Sequence, residues 1–400
     1  KVILKRRASA PTFAGGLFFR GGARNWDEKN AGIETLALGV ATEGSKAFPR
    51  QTLRRELART GSSISSGAGK DYSAVSFAAT RPEFDRIWRM FTDIAVNPAF
   101  AAEDVERVRR QMIAGLRENE TSPDAALRTL TERVIYTGHP YANDVSGSIQ
   151  TIGSLTGPQL AAYHKGLLQT SKMLLVVVGD IDPELLKMKV MESFGKLPKG
   201  SYKEQPLPSL DFSRGTVDIA PRSIPTNYVM GVYNAPSLAN KDYFAMRVAT
   251  TILQQLVFQE VRDVRQLSYA PNAELDNYAA NTGSIYVSAV DANQAVKVML
   301  DQIDFLKKNT LQNTVLDGMA GDFLTSYYVT QETNAAQVGE LARYELIGGG
   351  WRNSFEFLNH VREVKPEDIN AVANKYMKNI RFAVVGNQAA VNRSIFIPAE

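Results

Sequence analysis

Residues 174–180 read LLVVVGD, and residues 381–387 read RFAVVGN. Each is an apolar run of the kind a strand makes, closed by Gly and a polar residue that mark a turn. A short amphipathic helical segment precedes each, PQLAAYHKG at 158–166 and EDINAVANKYMK at 367–378. The copies stand roughly 200 residues apart, too far for a solenoid repeat, and the recurrence points to a duplicated α/β domain. Between them, residues 196–213 carry Pro198, Pro206 and Pro208 among Lys, Gly and Ser, the composition of a linker. We therefore expect an N-terminal α/β domain over 1–200 and a C-terminal one over 201–400.

Outward from these landmarks the two halves repeat a mixture of strands and helices. In the first, strands are expected within 1–22 and at 71–79, with a helical run at 33–42. A helix over 82–97 places Phe84, Ile87, Trp88, Phe91, Ile94 and Ala95 at three-and-four spacing, the signature of a core-facing side. A highly charged helix follows over 101–119, broken by Thr121-Ser122-Pro123-Asp124. In the second half we expect strands at 216–220 and 228–233, a long helix over 242–265, then strands at 267–275 and 284–290.

Composition excludes several classes of function. The chain has 400 residues, 44% of them hydrophobic, and a formal charge of +4. That charge is too small for the length to argue for nucleic acid, and runs such as Lys5-Arg6-Arg7 read as solvated faces. Without cysteine there is no disulfide, thiolate metal site or Cys nucleophile. No apolar run reaches the roughly 20 residues that span a bilayer. The chain opens at Lys1 inside a strand-like KVILKR, so an upstream targeting segment is expected to have been removed. The expected compartment is the periplasm, with cytoplasm as the alternative.

The stretch with chemical promise is FQEVRDVRQLSYA, residues 258–270. Arg262 falls on the last turns of the expected long helix, and Tyr269 lies seven residues on, at the start of a strand. A guanidinium and a phenol held this way can both donate to one substrate oxygen that becomes negative during attack. An Arg on a helix is ordinarily solvated or ion-paired, and a Tyr at a strand start ordinarily packs, so spacing alone does not decide between the readings.

At this point the sequence resembles the pitrilysin or insulinase-like zinc peptidases, the inverzincins, and especially the subunits that build dimeric processing-peptidase-like enzymes. The likeness rests on RGGARNWDEKNAGIETLALGVATEGS, ERVRRQMIAGLRENETSPDAALRTL, GHPYANDVSGSIQTIGSLT and LLVVVGDID in the first half, and on FQEVRDVRQLSYA in the second. It implies an α+β fold of two homologous domains, each a mostly antiparallel sheet covered by helices, forming half of a clamp-shaped peptidase. The family motif H-x-x-E-H places two ligands and a base on one helix, with a third ligand Glu about 76 residues beyond. Here the His, Glu and His positions hold Thr35, Leu38 and Gly39, and the distal Glu position holds Gly115. His139, His164 and His360 stand nowhere near ligand spacing, so this chain is expected to hold no zinc.

The resemblance also implies a role for Arg262 and Tyr269, which match by type and spacing an Arg and a Tyr that reach substrate at the zinc site of the other half. The implied protein is a zinc-less subunit of a heterodimeric metalloendopeptidase. Its partner would be a homologous chain with an intact H-x-x-E-H that holds the zinc, and its substrate an extended or unfolded polypeptide. The alternatives are a structural core-type subunit and a peptide-binding homodimer without proteolytic role. The glycine-rich substrate loop of the processing peptidases is absent, with Ile252-Leu253-Gln254-Gln255-Leu256 ahead of the motif instead.

Overall fold

Continuous apolar runs in the central strands and alternating ones toward the edges build two sheets of five strands each. The computed structural model describes residues 1–397, and of residues 313–315, 317 and 320 only the backbone. The first sheet contains β1 (Val2–Arg6), β2 (Thr12–Arg20), β3 (Ser63–Gly67), β4 (Tyr72–Thr80) and β5 (Met173–Gly179), in the order β1-β5-β2-β4-β3. The second contains β6 (Thr216–Pro221), β7 (Asn227–Asn234), β8 (Asn272–Leu275), β9 (Thr282–Ala289) and β10 (Arg381–Gly386), in the order β6-β10-β7-β9-β8. Adding five to each strand number converts one order into the other. Pairing matches as well: β1 runs parallel to β5 and β6 to β10, and every other pair is antiparallel. The runs LLVVVGD and RFAVVGN thus form the equivalent strands β5 and β10.

The first-half helices that bear on the site are α1 (Ile33–Ala41), α2 (Arg50–Thr60), α3 (Phe84–Val96), α4 (Ala102–Thr121) and α5 (Pro123–Ile135). All six apolar residues expected to face inward from α3 are buried. They join Phe13, Phe19, Val75, Phe77, Leu175 and Val177 of the sheet in one core, where Phe77 lies 4.8 Å from Phe91 between ring centroids. Such packing provides the main stabilisation, at roughly 1.5–3 kcal/mol for each large side chain taken out of water. In the second sheet, Gly231 lies opposite Phe382 in register, and a Cβ there would meet the Phe382 ring at 2.4 Å. The missing side chain lets that ring lie across β7.

The chain divides into two compact units, neither continuous in sequence. One comprises Lys1–Arg117, Asn143–Pro206 and Tyr328–Leu346; the other comprises Glu118–Ala142, Leu207–Tyr327 and Ile347–Glu400. The second unit therefore takes α5 from the first half of the sequence. Leu127 and Leu130 of α5 pack on Ala383 and Val385 of β10, and Asp124 accepts a 2.7 Å hydrogen bond from the Tyr286 hydroxyl on β9. Reciprocally, the first unit takes helix Asn334–Ile347 up to Leu346. Asn334 donates to the Thr12 carbonyl at 2.7 Å, and Lys1 reaches Glu345 at 2.6 Å. No described helix is long and apolar enough to cross a membrane.

Two expectations are corrected. The second-half helix does not run unbroken to residue 265: its α-helical part ends at Val257 and a π-helix continues over Phe258–Val264. Nor does a strand begin at 267, because β8 starts only at Asn272. Pro271, directly ahead of it, has no N–H to give a ladder. The edge strand β3, SISSG, was not expected, since Ser and Gly give no apolar alternation to read.

Candidate functional site

The π-helix decides where the Arg262 side chain goes. Helices of this type appear mostly as single turns in α-helices and concentrate at functional sites. Val261 is fully buried and anchors the turn, while its carbonyl accepts the Leu267 amide at 2.8 Å. Gln266, at φ 54°, enters the left-handed region and stops the helix. The chain then turns back, held by Ser268 Oγ donating to the Ser288 carbonyl of β9 at 2.7 Å. Tyr269 therefore sits in a loop between the π-helix and β8, with four-fifths of its surface in solvent (80%).

These two residues do meet. The Arg262 guanidinium carbon lies 4.2 Å from the centroid of the Tyr269 ring and 4.7 Å from that of Phe258. Stacking of this kind is worth about 0.5–1 kcal/mol at an exposed site and leaves the N–H edge of the guanidinium open. Among the described residues neither the Arg262 guanidinium nor the Tyr269 hydroxyl has a hydrogen-bond partner. The arrangement can present two donors to one acceptor. Phe258 opens the quoted stretch without a role of its own there, although its i,i+4 spacing to Arg262 is visible in FQEVR.

The four positions that the resemblance aligns with the zinc motif and its distal Glu hold side chains committed elsewhere, or none. Thr35 donates its hydroxyl to the Val145 carbonyl. Leu38 is 1% exposed and belongs to the core of the first unit. Gly39 faces α4, where a Cβ would lie 3.2 Å from Val108 Cγ1, and Gly115 offers no side chain. Residues 35, 38, 39 and 115 do not fit zinc, and among the described residues no group of three or more His, Cys, Asp or Glu is arranged to hold a metal. His164 is buried and burial pushes its imidazole down to about 4. His139 accepts from the Tyr141 amide at 3.1 Å, and His360 packs against Phe244 at 4.6 Å between ring centroids.

Residues 1–148 match the family described as Insulinase (Peptidase family M16), and residues 154–319 match the one described as Peptidase M16 inactive domain. This chain belongs to the M16 peptidase family. An uncharacterized zinc protease of Mycobacterium bovis is 24% identical over 316 residues, 76% of this chain and 72% of its own. Cytochrome b-c1 complex subunit 1 of Bos taurus mitochondria is 23% identical over 254 residues, 63% of this chain and 53% of its own. Among solved structures, a peptidase M16 inactive domain from Pseudomonas fluorescens matches with TM-score 0.88 and 20% identity over 97% of this chain and 96% of that one. Complex III2 from Candida albicans contains a chain that matches with TM-score 0.80 and 15% identity, over 99% and 97%. At these identities the structures speak for the fold alone.

Around α1, this M16 chain has two polar clusters that residue spacing did not single out. Glu34, immediately ahead of Thr35, is fully buried. It accepts from the Ser73 hydroxyl, from Tyr163 at 2.5 Å and from Asn25 at 3.2 Å. Burial pushes its carboxyl above the usual carboxylate range, against those hydrogen bonds and the charge of Lys172. At the far end of α1, Glu43 accepts from Arg50 at 3.0 Å, from Arg54 at 3.0 Å and from Arg107 of α4. Burial raises the Glu43 carboxyl, but the hydrogen bonds and charges of Arg54 and Arg107 outweigh it and hold it below the ordinary range. This ionic cluster ties the chain just past α1 to α2 and α4.

Proposed function

We propose that this M16-family chain is the zinc-less partner in a heterodimeric metalloendopeptidase, with Arg262 and Tyr269 serving the zinc site of the other subunit. The observation that carries this reading is the contrast between two sets of positions. At Thr35, Leu38, Gly39 and Gly115 no side chain can serve a metal, whereas the half-buried Arg262 and the exposed Tyr269 stack side by side and have no hydrogen-bond partners among the described residues. Zinc and general base come from a homologous chain with an intact H-x-x-E-H. Arg262 and Tyr269 donate to the scissile carbonyl oxygen as it becomes negative, which lowers the barrier because the charge develops opposite donors already in place. The substrate is an extended or unfolded polypeptide, aligned by strand addition to an exposed sheet edge.

Removing one such donor typically costs on the order of 3 kcal/mol in the transition state. In the assembled complex, Arg262→Ala or Tyr269→Phe should therefore lower turnover about a hundredfold, with zinc content and subunit association unchanged. Full turnover in both variants removes the catalytic role. The second reading is a structural subunit, which the likeness to cytochrome b-c1 complex subunit 1 favours. There the Arg262–Tyr269 stack pins the π-helix and nothing more. Peptidase activity that appears only when this chain is mixed with a zinc-binding relative from the same cell supports the first reading. Stable association with such a relative, without activity, supports the second.

A further inference from the structure

In the second unit a cleft of about 530 Å³ opens where the end of α5 meets the starts of β6 and β10. Three guanidiniums line it from three separate segments: Arg133 on the last turn of α5, Arg214 just ahead of β6, and Arg381 at the start of β10. Arg381 is anchored, with its side chain only 12% exposed. It donates to the Val134 carbonyl at 3.1 Å and to Asp211 at 3.1 Å, yet its Nε is buried without a partner. The Thr216 hydroxyl, on the same wall, is also buried without a partner. Arg133 and Arg214 are exposed, and neither guanidinium has a partner among the described residues. Against these donors stand two carboxylates, Asp218 and Asp211, and the second is engaged by Arg381 and the Ser213 amide. The cleft has more cationic donors than acceptors, and buried donors left unmatched call for a ligand or ordered water.

We propose that this cleft binds a tetrahedral oxyanion of the phosphate class, free or as a phosphomonoester. Arg133 and Arg214 would close on it from the rim, while the anchored Arg381 guanidinium supplies positive charge from the wall. Guanidinium suits this task because its planar fork matches oxyanion geometry and stays charged. The site is separate from Arg262 and Tyr269 and does not depend on the peptidase reading.

The test is calorimetric titration of the full chain, at constant ionic strength, with inorganic phosphate and in parallel with glycerol 3-phosphate. Saturable binding of either at one site is expected, and the tighter of the two identifies the free or the esterified form. The Arg133→Ala/Arg214→Ala double variant should weaken binding at least tenfold. Both residues are exposed, so the variant should fold, which its circular dichroism checks. A control, Arg110→Ala/Arg117→Ala, removes the same charge from exposed positions of α4 that line no part of the cleft and should change affinity less than twofold. No saturable binding in the unaltered chain means that water alone fills the cleft and overturns the proposal. Equal weakening in both double variants overturns it too, because net charge and not this cleft would then attract the anion.

Discussion

Glu34 shows what one side chain can cost a fold. Its carboxyl is fully enclosed, its acceptors are used by Ser73, Tyr163 and Asn25, and its ionised form is disfavoured by burial. Because the folded pKa is raised, the unfolded chain releases this proton first as pH increases. The stability contribution is therefore complete below the ordinary carboxylate pKa and is lost as pH rises toward and through the raised value, at up to about 1.4 kcal/mol per pH unit. Glu34→Gln keeps the shape: its carbonyl can accept from Tyr163 and Asn25 while its amide donates to Ser73. We expect the variant to gain stability over the unaltered chain as pH climbs from about 4 toward neutrality, read from denaturant unfolding at successive pH values. A constant difference across that range would mean that Glu34 ionises normally. Its position gave no warning, since an acidic residue in the first turn of a helix is ordinarily exposed there and favoured by the helix dipole.

At the scale of elements, α1 packs Leu38 into the core and Gly39 against α4 at positions that the resemblance gives to the zinc motif. Installing that motif with Thr35→His, Leu38→Glu, Gly39→His and Gly115→Glu should not create a metal site. Leu38→Glu puts a carboxylate into the hydrophobic core, and Gly39→His pushes a side chain against Val108. The quadruple variant should lose several kcal/mol of stability and retain no zinc after dialysis, measured by unfolding and metal analysis. Stoichiometric zinc with a native unfolding midpoint would show that α1 can still reopen. The helix itself was plain in GIETLALGVA because its apolar residues recur at helical spacing, and β5 and β10 were plain as short apolar runs closed by Gly. The π-helix was not legible, since over seven residues its pattern of buried and exposed positions barely departs from that of an α-helix. The Tyr269 loop had its sign in Pro271, but its bond to Ser288 joins residues that only the folded sheet brings together.

At the scale of the molecule, the equivalent strand orders make each half of the sequence a version of the other, and the run Val176-Val177-Val178 with its counterpart Ala383-Val384-Val385 made that legible. The exchange of helices had no local signature, because an amphipathic helix does not record which sheet it covers. Without α5, the second unit would expose the apolar patch of Ala383 and Val385 that Leu127 and Leu130 cover. Without residues 328–346, the first would lose Val338, Leu341 and Tyr344, all buried. A fragment of residues 1–206 should bind a hydrophobic dye and unfold without a sharp transition, and coexpression with 207–400 should recover both cooperativity and a stable complex. Cooperative unfolding of the fragment alone would show that the borrowed helix is dispensable. The same exchange bears on biosynthesis. A ribosome making this chain completes the strands of the first sheet by Gly179, yet the helix that finishes that unit ends only at Ile347. The nascent protein must carry an unfinished apolar surface through nearly half of its own translation, so its demand on chaperones is set by chain connectivity as well as by stability.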